Sequence, residues 1–162
     1  MSGTLLVTSP SFQEGEMIPA KHTCDGQNVS PHISWAGAPE GTRSLLLIME
    51  DPDIPTPRLA LFTWVHWIVY NIPPDITNLG EAVPRKEQLD NGVRQGMTSF
   101  RRVGYGGPCP LFGTHRYLFN VYAVDRSVDL GQREATKRRL LSSIEGHVLA
   151  EGRLGGRYRR RR

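Results

Sequence analysis

Ser44-Leu45-Leu46-Leu47-Ile48-Met49-Glu50-Asp51-Pro52-Asp53-Ile54-Pro55 is the stretch on which the fold turns. An apolar run of strand length leads directly into two carboxylates and two prolines. Such a run suits a buried strand. Proline then fixes its own φ at about −65° and keeps the residue before it out of the helical region. Asp51 and Ile54 are therefore expected to be extended, with a stiff turn between them. Asp51 and Asp53 would sit at the mouth of the strand. The plainer account of Asp-Pro is an Asx turn, in which the carboxylate caps local N–H groups.

On either side of this stretch the chain is punctuated by Gly and Pro. Leu5-Leu6-Val7-Thr8-Ser9 reads as a first strand ended by Pro10, and Phe12 to Pro19 as loop. His22 to Pro31 is a polar, turn-rich loop. Ile33-Ser34-Trp35 is a short strand of alternating pattern. Phe62 to Ile72 is the longest β-type run, rich in aromatic and β-branched residues. Two-residue alternation there predicts Phe62, Trp64, His66, Ile68 and Tyr70 on one face. Residues 75–102 read as a long polar excursion with one helical turn near Pro84 to Leu89. Long irregular loops in compact domains tend to carry function. Tyr117 to Val124 is a further strand. Asp129 to Ala150 contains the one convincing helix, with Leu141, Ile144 and Val148 at helical spacing. Gly152, Gly155 and Gly156 break it, and a short last strand precedes the arginines. Strands come first, joined by short loops, and a single helix comes late. The pattern predicts a mainly β fold of antiparallel strands, a sandwich or open barrel, with one late α-helix packed at an edge.

The 162 residues suit one domain, expected over 1–158, with 159–162 as a basic tail. Formal charge is +4 and the pI about 9.4, and Arg157-Tyr158-Arg159-Arg160-Arg161-Arg162 supplies much of it. Without that tail the body is near neutral, so no nucleic-acid surface is advertised and the tail reads as a solubilising end. No window approaches the roughly 18 apolar residues of a membrane helix. The start lacks a basic, then apolar, export segment, so a cytoplasmic location is expected. Two cysteines are no disulfide framework, and Cys24 and Cys109 are read as reduced thiols, with a single bridge as the alternative.

Four features fall at strand ends or on a strand face: Asp51 with Asp53, His66, the loop Gly104-Tyr105-Gly106-Gly107-Pro108-Cys109-Pro110, and His115-Arg116. Each has an ordinary structural account, but together they compose a particular pocket. An imidazolium donates two charge-strengthened N–H bonds, and a neighbouring carboxylate favours that form. Backbone N–H groups of a glycine loop add an anion-binding concavity. The expected ligand is a small anion such as phosphate, sulfate or carboxylate. The same groups are the parts of acid–base chemistry, so a hydrolase using Asp51, His66 and His115 is the third-ranked reading. Two imidazoles and a carboxylate also suffice chemically for a metal, although none is expected.

Five segments resemble the phosphatidylethanolamine-binding protein family in its short bacterial and archaeal, Raf-kinase-inhibitor-like, branch. They are Cys24 to Pro31 with Ile33-Ser34-Trp35; Asp51-Pro52-Asp53-Ile54-Pro55; Trp64-Val65-His66-Trp67; Tyr105 to Pro110; and Gly113-Thr114-His115-Arg116-Tyr117. They follow the family's order and approximate spacing. The resemblance implies two antiparallel sheets and an anion pocket built on Asp51, His66 and His115, with Pro55, Trp64, Gly107 and Pro108 lining it. Asp53 and Tyr117 are added from the same motifs. It implies a site for phosphate, acetate or a phosphorylethanolamine head group, no cofactor, no established reaction, and a homodimer. A protein partner, a kinase or a protease inhibited through surface loops, is the second-ranked reading. Two departures stand out. The chain ends in glycines and arginines rather than a helix over the pocket, and Leu111-Phe112 follow Cys109-Pro110 at the expected pocket rim.

Overall fold

The computed structural model describes residues 3–131 and 133–161, so Met1, Ser2, Gln132 and the tail residue Arg162 lie outside the described residues. The described residues form nine strands and one α-helix, besides two short 3-10 turns: β1 (Gly3–Thr4), β2 (Leu6–Thr8), β3 (Ile33–Ala36), β4 (Ser44–Thr56), β5 (Leu59–Ile72), β6 (Asn78–Leu79), β7 (Arg94–Gln95), β8 (His115–Val124), α1 (Lys137–Ile144) and β9 (Val148–Tyr158). A six-stranded sheet has the order β1-β9-β8-β4-β5-β7, and a three-stranded sheet the order β2-β3-β6. All named pairs are antiparallel except β1 with β9. The expected mainly β fold of two sheets with a late helix is what forms.

Strand β4 explains its own sequence. Leu45, Leu47 and Met49 face the core between the sheets, with Val7, Ile33 and Trp35 of the small sheet. Leu46 and Ile48 face the other way, into a second cluster with Leu140 and Ile144 of α1. Both faces are covered, so the run is apolar without alternation. The strand does not end at Asp51 as expected. It continues to Thr56, paired with the first residues of β5, and the turn lies beyond.

The shared face predicted for β5 does not form. Met49 pairs with Trp67 and Glu50 with Val65, so one step on β4 spans two on β5 and His66 is the extra residue. This β-bulge re-aims the side chains. Ile68 and Tyr70 join the helix-side cluster, while Trp67 packs in the inter-sheet core.

Three other expectations change. The helix is shorter than its pattern, and Leu140 and Ile144, four apart, form its buried stripe. Thr136 caps it by accepting the Arg139 N–H, and Val148 begins β9 instead. The glycines near the end lie inside an eleven-residue strand. They permit close packing: a Cβ on Gly152 would stand 2.1 Å from the Leu5 carbonyl oxygen, and one on Gly156 2.6 Å from Ile18 Cγ1. Within 75–102 the helical turn falls at Asp90–Gly92 rather than 84–89, beside the short strands β6 and β7.

Cys24 and Cys109 form a disulfide, with Cα atoms 5.4 Å apart. The reduced-thiol expectation is overturned in favour of the single bridge given as its alternative. The physical reason is convergence: the Cys24 N–H donates to the Pro108 carbonyl, Tyr105 Oη to the His22 carbonyl, and the Gly107 N–H to Asn28 Oδ1. Two loops that sequence places 85 residues apart are thus one wall. Among the described residues, no helix is long and apolar enough to cross a membrane.

Two outcomes follow. Gly152→Ala should destabilise the fold by about 2–3 kcal/mol through overpacking against backbone, while Gly80→Ala, whose Cβ meets nothing within 4 Å, should be nearly silent. Reducing the disulfide, or replacing both cysteines by serine, should remove about 2–4 kcal/mol, since a long loop is no longer closed in the unfolded chain. Thermal melts with and without reductant read the second effect directly.

Candidate functional site

Beyond Glu50 paired with Leu118, β4 and β8 no longer share ladder bonds, and β4 continues with β5 alone. Where the strands part, a cavity of about 280 Å³ opens. Six of the expected site residues line it: Asp51, Pro55, Trp64, His66, His115 and Tyr117. Side chains far apart in the chain therefore meet, and the bulge at His66 is what brings that ring in from β5.

The remaining three stand behind the cavity. Asp53 accepts from the Arg116 backbone N–H at 2.9 Å and from its Nε and Nη2 at 3.0 and 2.9 Å. Burial pushes the Asp53 carboxyl up, but this fork outweighs it and holds the group below the usual carboxylate range. Gly107 and Pro108 join the wall to the Cys24 loop. Of the loop N–H groups expected to form an anion-binding concavity, those of Gly106 and Gly107 are engaged within the protein: Gly106 donates to the His66 carbonyl and Gly107 to Asn28 Oδ1. Both glycines are required for packing instead. A Cβ on Gly106 would lie 2.4 Å from the Phe100 ring, and one on Gly107 2.2 Å from the His22 carbonyl oxygen.

The hydrogen bonds fix the polar state of the lining. Asp51 is 1% exposed; its Oδ1 accepts the Asp53 N–H at 2.7 Å, and its Oδ2 lies 2.7 Å from His115 Nδ1. His115 Nε2 lies 2.9 Å from the Phe112 carbonyl oxygen. A carbonyl can only accept, so Nε2 carries hydrogen, and the other proton is shared between Nδ1 and the carboxylate. Burial raises the Asp51 carboxyl above its ordinary value, opposed by its bond to His115. Both His115 nitrogens are thus engaged within the protein.

His66 differs. Its Nδ1 donates to the Gly106 carbonyl at 2.7 Å. Burial pushes the ring's pKa down to about 4, with the Gly106 and Gly107 carbonyls partly opposing. At neutral pH the ring is neutral, and its Nε2, which makes no hydrogen bond among the described residues, is an acceptor. The two imidazolium donors expected from sequence are therefore one engaged ring and one neutral ring. Tyr117 is fully buried, and among the described residues its hydroxyl has no partner in good hydrogen-bond geometry, only a looser contact with the Asp51 carboxylate. Burial, then the nearby Asp51 charge and the hydroxyl's contact with that carboxylate, raise the phenol's pKa, so it stays a donor.

Sequence reasoning missed Phe100. It lies within the polar excursion, yet its ring packs edge-on against Trp64 at 5.5 Å and His66 at 5.3 Å and closes one side. A lone aromatic among polar residues was its only signal. Ile54, Cys109 and Pro110 complete the lining, and Leu111 reaches the rim as expected. Among the described residues, no three His, Cys, Asp or Glu side chains converge to hold a metal.

Comparison with known proteins addresses the family and the fold. The family model described as phosphatidylethanolamine-binding protein matches residues 8–159. A protein of Methanothermobacter thermautotrophicus named UPF0098 protein is 46% identical over 150 residues, 93% of this chain and 95% of its own. The crystal structure of a putative phosphatidylethanolamine-binding protein homolog from Chlamydia trachomatis superposes with a TM-score of 0.87 at 37% identity, covering 99% of this chain and 100% of that one. That of YbcL from E. coli gives 0.85 at 29% identity, covering 98% and 100%. With its two sheets, its Asp-Pro-Asp-Ile-Pro strand and a family match over nearly its whole length, the chain belongs to the phosphatidylethanolamine-binding protein family.

Proposed function

We propose that the cavity binds a small phosphoryl group, free phosphate or the phosphoryl end of a head group, in its singly protonated form and without turning it over. The Tyr117 hydroxyl carries the reading: a buried donor without a well-formed hydrogen bond among the described residues, loosely facing Asp51, on a residue that lines the cavity together with the acceptor-bearing His66. Leaving such a hydroxyl unpaired costs about 1–3 kcal/mol, which a ligand oxygen would recover. No unengaged cation lines the cavity, so a dianion gains little there. A monoanionic phosphoryl has both a P–O acceptor for Tyr117 and a P–O–H donor for His66. The apolar remainder, Ile54, Pro55, Trp64 and Phe100, excludes water from these bonds.

The proton requirement sets the pH dependence. Phosphate monoesters lose their second proton at about pH 6. Affinity for phosphoethanolamine should therefore fall by about tenfold per pH unit above that value. Calorimetric titration from pH 5 to 8 reads this, and a flat profile would overturn the protonation argument. Tyr117→Phe should weaken binding by about 10- to 100-fold, the worth of a hydrogen bond to a charged group. Phosphorus NMR should find the monoester intact after prolonged incubation. Release of phosphate that stops in His66→Ala would favour the hydrolase reading.

The homodimer implied by the resemblance has a suitable surface. Leu59, Leu61 and Phe62 on β5, with Leu111 on the cavity rim and Phe112 next to it in the chain but not on the cavity lining, are all more than half exposed. Beyond Glu50, the β4 edge away from β5 has no ladder partner. A second copy would cover both features. Leu61→Glu with Phe62→Glu should halve the mass measured by light scattering if this face makes the dimer.

A further inference from the structure

A second concavity, of about 760 Å³, opens on the far side of the Phe100 loop. It is lined by Arg85, Met97, Arg101, Arg102, Val103 and Arg133. Three separate segments supply these arginines. No acidic side chain lines the groove, and the Arg101 and Arg133 side chains make no hydrogen bond or ion pair with any described residue. Nearby acids are engaged elsewhere: Glu134 with Arg139 and Glu87 with Arg94.

The fold spends specific features on this arrangement. Thr98 accepts the Arg101 N–H through its carbonyl, and its own N–H and hydroxyl donate to the Arg102 carbonyl. The resulting turn sets two arginines side by side. Arg101 sits at φ 62°, in the left-handed region where glycine or asparagine is usual. Arg102 lays its guanidinium 5.2 Å over the Phe100 ring. Arg85 is held by bonds from Nε to the Tyr105 carbonyl and from Nη2 to the Asn28 carbonyl. Gly104 makes room for it, since a Cβ there would lie 2.8 Å from Arg85 Cβ. The segment bearing Arg133 is pinned across the groove by the Met97 N–H bonded to the Ala135 carbonyl, and Gly96 admits it because a Cβ would stand 2.3 Å from that oxygen.

We infer that this groove docks a phosphorylated, acidic peptide segment of a partner protein, a site separate from the cavity and independent of its ligand. Arginine forks match phosphate and carboxylate oxygens two at a time, and clustered arginines are the usual means of reading phosphorylated segments. The aliphatic floor of Met97 and Val103 accepts an apolar side chain between the charges. Nucleic acid fits less well. The groove offers no open aromatic face for a base, because the ring nearest it, Phe100, is capped by Arg102, and the body outside the tail lacks broad positive charge. A bilayer surface fits less well too, since the arginines line a hollow rather than a projecting face.

The test is fluorescence anisotropy with the full chain and a short synthetic peptide carrying two phosphoserines around a leucine. The expected result is binding that needs the phosphates and weakens by about tenfold or more in R101A/R133A, with wild-type melting and no change in Tyr117→Phe. The pair R101K/R133K keeps the charge and the exposed positions, and should fall between wild type and the alanine pair. Peptide affinity unaltered in either pair would overturn the assignment. Tighter binding of an oligo-dT strand or of phosphatidylserine vesicles, released by the same substitutions, would overturn the choice of a peptide. The unchanged Tyr117→Phe response separates this outcome from any failure of the cavity reading.

Discussion

A carboxylate that water cannot reach has to be satisfied by the protein, and Asp51 is such a group. Isolated in an apolar interior it would be prohibitive. The chain answers with the Asp53 N–H and with His115. Asp53, likewise buried, takes Arg116. Adjacent residues of β8 thus clamp alternate residues of β4. The clamp falls just past the last β4–β8 ladder pair, where backbone bonds no longer hold the strands. Side-chain pairs take over from backbone pairs there, and the parted strands leave the hollow between them. The cavity follows from that exchange.

The same arrangement sets the cavity's electrostatics. His115 is occupied with Asp51, and His66 is kept neutral by burial, so the lining offers one donor and one acceptor with little net charge. On the proposed reading, a ligand is selected by its hydrogen-bonding pattern and its proton. The arginine groove follows the opposite logic, with unpaired cations exposed to solvent around a small aliphatic floor. Phe100 stands between the two, touching His66 and Trp64 on one side and Arg102 on the other. The two surfaces therefore share a wall while presenting different chemistry.

Much of the fold and most of the cavity could be read from the residues in order. The apolar run before Asp51 marked a strand covered on both faces. The Asp-Pro-Asp-Ile-Pro and Gly-Thr-His-Arg segments named two of its walls. Parity counting failed at β5, because one bulge residue reverses every face after it. Helical spacing overran its helix, since Val148 fits both a helix stripe and a strand start. Gly152 and Gly156 read as breakers in the sequence because what backs onto a glycine is invisible until Leu5 and Ile18 are in place.

What the sequence by itself determined was local: which segments extend, where the backbone stiffens, and that Asp51, His66 and His115 are groups fit for a polar site. Such properties depend on neighbours along the chain. The tertiary structure decided everything that depends on neighbours across it. It joined Cys24 to Cys109, engaged the Gly106 and Gly107 N–H groups within the protein, removed the charge from His66 by burying it, and drew Arg85, Arg101, Arg102 and Arg133 from three segments into one groove. Proton occupancy and charge density depend on distance and burial, and these exist only once distant segments have met.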